Sequence, residues 1–209
     1  MPAAFPRPVR LSPQLFDSLL GSHDPAEQTR IAHATAAALL ARVRADDSGV
    51  SAERLVAYAR EHGIEEIAEL WAKSPAVSLP GALWRLYLVQ AAIHADPATA
   101  ALLHERGRIE LASADALVAG APVPAAPEEL VALIDTILRG AFSGDFAVAL
   151  DRAAAFCRVQ ASGATHLADD YEATEPQRAS VLTTRAARLS AYGRDLTASS
   201  AAWRAHALN

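Results

Sequence analysis

Two stretches bring reactive side chains to helical spacing. In His166-Leu167-Ala168-Asp169-Asp170, a histidine and two carboxylates fall about one turn apart. Such a set can share a metal ion, or a carboxylate can orient the imidazole ring. The competing reading is a histidine near a helix C-terminus, favoured there by the helix dipole, followed by a solvated acidic loop. The second stretch holds Arg85, Tyr87, Gln90 and His94. Gln90 and His94 are one turn apart with Tyr87 nearby, a candidate polar spot in a buried pocket. Arg85 lies about opposite and, if buried, becomes a candidate anion-binding group. The competing reading sets Gln90 and His94 on a wet strip and lets Arg85 snorkel to the surface or pair with a carboxylate. These seven residues are the ligand and metal candidates; no residue is assigned a catalytic role.

Other chemistry is sparse. The chain contains no GxGxxG, no GxxxxGK[ST] and no GxSxG, so it lacks the dinucleotide, P-loop and nucleophile-elbow signatures. Lys73, the only lysine, follows Trp71-Ala72 without a glycine loop. None of the histidines is followed by another at one-turn spacing, and none stands three residues after a glutamate. The ExxH pattern of di-iron bundles is therefore missing. Cys157 falls on an apolar stripe, where a thiol is an inert core residue rather than a nucleophile. No cofactor is expected.

The element that must position the second stretch is Leu79 to Ala95, LPGALWRLYLVQAAIHA, apolar almost all round. A helix of that kind is buried. It is too short, and too interrupted by Arg85, Gln90 and His94, to span a bilayer. Ser78 suits the N-cap, Pro80 the first turn, and Asp96-Pro97 ends it. Before it, residues 1–10 read as an extended arm with three prolines. Helices are expected from Ser12 to Leu20, from Asp24 to about Ala45, from Ser51 to His62 and from Ile64 to Lys73. After it, Asp96-Pro97 launches a helix to about Glu105, and the pattern then fades from Gly107 to Pro127. Pro127-Glu128-Glu129 opens another helix to about Arg139, with Gly140 and Gly144 bracketing a turn.

Asp145 caps a long helix with the stripe Phe146, Leu150, Ala153, Ala154, Cys157, Ala161 and Ala164, followed by an acidic loop from Asp169 to Pro176. The last helix runs from about Gln177 to Ala207. Along it Leu182, Leu189, Leu196 and Trp203 recur every seven residues, with Ala186, Gly193 and Ser200 between them. Large and small residues alternating on one seam let two helices approach closely. A long antiparallel hairpin with the Phe146–Ala164 stripe is the favoured partner; a homodimer through the same four large residues is the rival. No stretch alternates long enough to argue a sheet. The expected fold is all-α, a bundle of eight to ten helices around a buried central one. An N-terminal helical layer (11–118) and a C-terminal hairpin layer (128–209) are joined by a Pro/Ala linker at 119–127.

Alanine makes up about a quarter of the chain and arginine carries nearly all the positive charge. Leu11–Glu27 (LSPQLFDSLLGSHDPAE) and the LPGALWRLY run resemble a group of small all-helical proteins from GC-rich actinobacteria. That resemblance implies a helical fold and no established activity. The formal net charge of −5 gives no strong nucleic-acid footprint. The lone cysteine excludes an internal disulfide and fits a reducing compartment. No apolar targeting run or membrane segment is seen, so a cytoplasmic setting is expected.

Three functions follow in order. The first is a non-enzymatic protein that binds a protein partner or a small ligand, with Arg178, Arg185, Arg188 and the acidic loop as contact surfaces. The second is a helix-turn-helix regulator, with Arg54–Gly63, Ile64–Ser74 and Leu79–Tyr87 as its three helices; the leucine-rich third helix and Glu65, Glu66 and Glu69 count against it. The third is a metal-dependent enzyme using His166 and Asp169, with His94 or His33 as an optional further ligand.

Overall fold

The computed structural model describes residues 25–45, 70–111, 115–120 and 126–208. Among them are seven helices and no strand: α1 (Pro25–Arg44), α2 (Leu79–Ala95), α3 (Pro97–Glu110), α4 (Asp115–Ala119), α5 (Pro127–Ser143), α6 (Phe146–Tyr171) and α7 (Pro176–Arg204). The all-α class is therefore observed. The N-terminal arm and the helices expected over 12–20 and 51–62 lie outside the described residues, as does all but the end of the one over 64–73.

The central helix forms where its caps dictate. Ser78 Oγ accepts from Gly81 N at 3.1 Å and donates to Pro75 O at 2.7 Å, which closes the first turn around Pro80. Leu79, Ala82, Leu83, Leu86, Val89 and Ile93 are buried. Asp96 ends α2 and caps α3, its Oδ1 accepting from Thr99 N at 3.1 Å. The α1 stripe of Ala32, Ala36, Leu40 and Val43 packs into the same core as α2, and the Trp71 indole donates to Thr35 Oγ1 at 3.2 Å. That core also takes Leu130, Ile134 and Ile137 of α5, Phe146, Leu150 and Phe156 of α6 and Leu196 of α7. Side chains from both sides of the 119–127 stretch therefore share one apolar cluster.

Several boundaries differ from expectation. α3 does not stop near Glu105 but runs through Gly107 to Glu110. Gly107 continues the helix because it meets α6 at Gly163: a Cβ on Gly107 would lie 2.9 Å from Gly163 N and closer still to the Val159 carbonyl. α5 runs through Gly140 to Ser143, because Ala141 and Phe142 extend its buried face. α6 carries on to Tyr171, because Leu167 and Ala168 extend its buried stripe. Asp169 and Asp170 therefore stand on the helix, and only residues 172–175 make the turn. The region where the pattern fades holds α4. Two arginines of α6 secure it: Arg158 forks onto Asp115 (Nε–Oδ2 3.0 Å, Nη2–Oδ1 2.5 Å), and Arg152 Nε and Nη2 each donate to Ala119 O at 3.2 Å.

α6 and α7 form the antiparallel hairpin. Phe146 and Trp203 meet edge to face at 4.8 Å, Ser200 Oγ donates to Ala147 O at 3.1 Å, and Arg204 pairs with Asp151 at 2.6 Å. At the other end the Arg178 guanidinium lies 4.0 Å from the Tyr171 ring centroid. Leu182, Ala186, Gly193, Leu196 and Ser200 are buried within this chain. The seam thus closes the hairpin, with Leu182 and Leu196 buried within the chain. Leu189 and Trp203 stay half-buried. Among the described residues no helix is long and apolar enough to cross a membrane.

Candidate functional site

The four ligand candidates of α2 separate into two groups. Gln90 and His94 do meet, on a residue the sequence did not single out. Asp135 of α5 offers one oxygen, Oδ1, to Gln90 Nε2 at 2.7 Å and to His94 Nε2 at 2.8 Å. A carboxylate oxygen only accepts, so the His94 hydrogen sits on Nε2. Gln90 is 1 % exposed, so it lies in the core and not on a wet strip. The cluster ties α2 to α5. Asp135 had no distinctive signal, since it reads as one polar position beside the stripe of Leu130, Leu133, Ile134 and Ile137.

Arg85 points the other way. Its Nε meets Asp195 Oδ2 at 2.8 Å, its Nη1 donates to Gly81 O at 3.1 Å, and its guanidinium lies 5.8 Å from the Tyr192 ring. It is paired, as one of the two readings held, and is not left free for an anion. Tyr87 stacks on Trp84 at 5.4 Å. Leu79 to Leu83 and Leu86 are buried, and Arg85 is tied to α7.

His166 and Asp169 share α6, three residues apart, and Asp170 pairs with Arg106 at 3.2 Å. Among the described residues no group of three His, Cys, Asp or Glu side chains could hold a metal ion. Cys157 is buried, and that burial pushes its thiol up to about 12, so it is protonated and unreactive at neutral pH.

Among the described residues, polar groups without partners gather between α2 and α7. A groove of about 610 Å3 runs there, with Leu88, Val89 and Ile93 on one wall and Val181, Leu189 and Tyr192 on the other. It opens because α2 presents Ala91 and Ala92 to α7, where larger side chains would fill the gap. Its polar lining is Gln160, Ser180, Thr184, Arg185 and Arg188. Gln160 comes from α6 and is 0 % exposed. Its Nε2 donates to Ala100 O at 2.9 Å, while its Oε1 has no hydrogen-bond partner. Burial pushes the Arg185 guanidinium below its ordinary range, partly offset by the charge of Asp96.

A second groove of about 650 Å3 follows the hairpin past Ser162, Gly193 and Ala198. Its Arg158 is already engaged by Asp115 and Thr197. The first groove was partly legible. Arg185 and Arg188 stood out as surface charges, but Ala91 and Ala92 read as ordinary helix filler, and a gap between helices leaves no trace in one helix's pattern. Comparison with known proteins finds no family model, no curated protein and no solved structure that matches this chain.

Proposed function

We propose that this protein is a non-enzymatic helical binding protein whose ligand site is the groove between α2 and α7. One observation carries the reading: an apolar groove of ligand size holds polar groups that the fold leaves uncommitted. Its volume of about 610 Å3 falls within the range of roughly 300–1,000 Å3 typical of small-molecule sites. Arg185 and Arg188 make no ion pair among the described residues, and Gln160 Oε1 awaits a donor. The clusters that could suggest catalysis are accounted for by packing. Asp135, Gln90 and His94 join two helices, and Cys157 is sealed in the core.

The neutral apolar dye Nile red tests the site. Ala92 is exposed on the groove wall, so Ala92→Trp blocks the groove without touching the core. The wild-type chain gains dye fluorescence and the variant loses that gain at an unchanged melting temperature. Equal dye binding by both proteins rejects the groove as a ligand site. The same reading retains, as expectations of the sequence, the count of eight to ten helices, the cytoplasmic setting and the likeness to small actinobacterial helical proteins.

A further inference from the structure

The lining of the groove also specifies a class of ligand, on the premise that the groove is the binding site. Arg185 and Arg188 stand three residues apart on α7 and both line it. Like charges at that spacing repel one another on a helix, and an anion between them would relieve the repulsion. The charge of Asp96 acts on Arg185 through space without an ion pair between them, and Asp96 Oδ1 serves as the cap of α3. Guanidinium groups match the planar oxygens of a carboxylate better than any neutral head. Below them the walls are leucine, valine, isoleucine and tyrosine, which suit a hydrocarbon body. That lining is interrupted by Gln160, whose buried carbonyl oxygen has no donor. A buried acceptor left unmade is costly, so a ligand that donates there gains over one that does not.

We propose that the groove takes a single-chain amphiphile, its anionic head held by Arg185 and Arg188 and its body donating a hydrogen bond to Gln160. Titration calorimetry of the full chain with four probes tests this: decanol, decanoate, β-hydroxydecanoate and N-decanoylglycine. The expected order has the two donor-bearing acids tightest, decanoate next and decanol weakest. The Arg185→Ala/Arg188→Ala double variant brings decanoate down to decanol, a loss of at least about tenfold in affinity. Gln160→Leu narrows the gap between the donor-bearing acids and decanoate.

The wild-type ladder decides the matter even if a variant fails to fold. Decanol binding as tightly as decanoate overturns the anionic head. Decanoate matching both donor-bearing acids overturns the role of Gln160. Binding to anionic phospholipid vesicles without binding to any dispersed acid would assign the surface to a membrane and overturn the proposal. If all four probes fail while Nile red still binds in a manner blocked by Ala92→Trp, the amphiphile falls and the groove stands. If the dye fails as well, both fall.

Discussion

Gly107 of α3 and Gly163 of α6 meet backbone to backbone. A Cβ on Gly163 would run into the Leu103 carbonyl oxygen, and one on Gly107 into that of Val159. No rotamer relieves such a clash, because the obstructing atoms are main chain. Either glycine to alanine should therefore destabilise the protein by at least about 2 kcal/mol. Gly140 supplies the control. It lies inside α5, and the nearest atom to an added Cβ is 3.9 Å away. Gly140→Ala should stabilise by roughly 0.5–1 kcal/mol through helix propensity. Urea unfolding of the three variants should give opposite signs for the two classes, and three equal effects would reject the close crossing.

A second prediction concerns acid. His104 of α3 is 0 % exposed, stacks on Phe156 at 5.6 Å, and has no hydrogen-bond partner on either ring nitrogen. Burial lowers its pKa from 6.5 to about 4, against a smaller upward pull from Glu105. Between those values the unfolded chain binds the proton and the folded chain does not, so stability rises with pH across that window. It is fully present above about pH 6.5 and is lost as pH falls towards 4, by about 3 kcal/mol. His104→Leu removes the proton acceptor and should flatten this part of the stability profile. An unchanged slope in the variant would assign the acid sensitivity to other groups.

The bridge between α2 and α5 gives the third. Asp135→Ala leaves the amide of Gln90 buried without its acceptor and strips His94 of its partner. The expected cost is about 2–3 kcal/mol. Asp135→Asn keeps an oxygen at the same place and should cost less. Chemical denaturation orders the two variants, and a cheaper alanine than asparagine would show that the cluster is not a structural tie.

Where local signals and packing agreed, the sequence was informative. Ser78, Pro80 and Asp96-Pro97 mark the ends of α2 as observed, and the large–small alternation from Leu182 to Ser200 does face α6. The misread positions are those where a residue's reason lies in another helix. Gly107 has the propensity of a helix breaker, yet it is glycine because Gly163 crosses it. Asp169 and Asp170 look like loop residues, yet Leu167 and Ala168 keep that turn of α6 against its neighbours. Asp135 is one carboxylate among many until Gln90 and His94 are brought to it. The groove depends on Ala91 and Ala92 being small opposite α7, a relation between segments and not a property of either.

The tie between Arg85 and Asp195 spans 110 residues of chain, and most of the cover over α2 comes from α5, α6 and α7, all later in the sequence. A ribosome making this protein releases α2, the most apolar of the described helices, with only α1 among its packing partners already made. Until α5, α6 and α7 emerge, the nascent chain carries a partly uncovered greasy segment, the kind of exposure that recruits holding chaperones and invites aggregation. Folding of the core is thereby deferred to late in translation. A truncation that omits α7 should for that reason yield insoluble material, not a smaller folded protein.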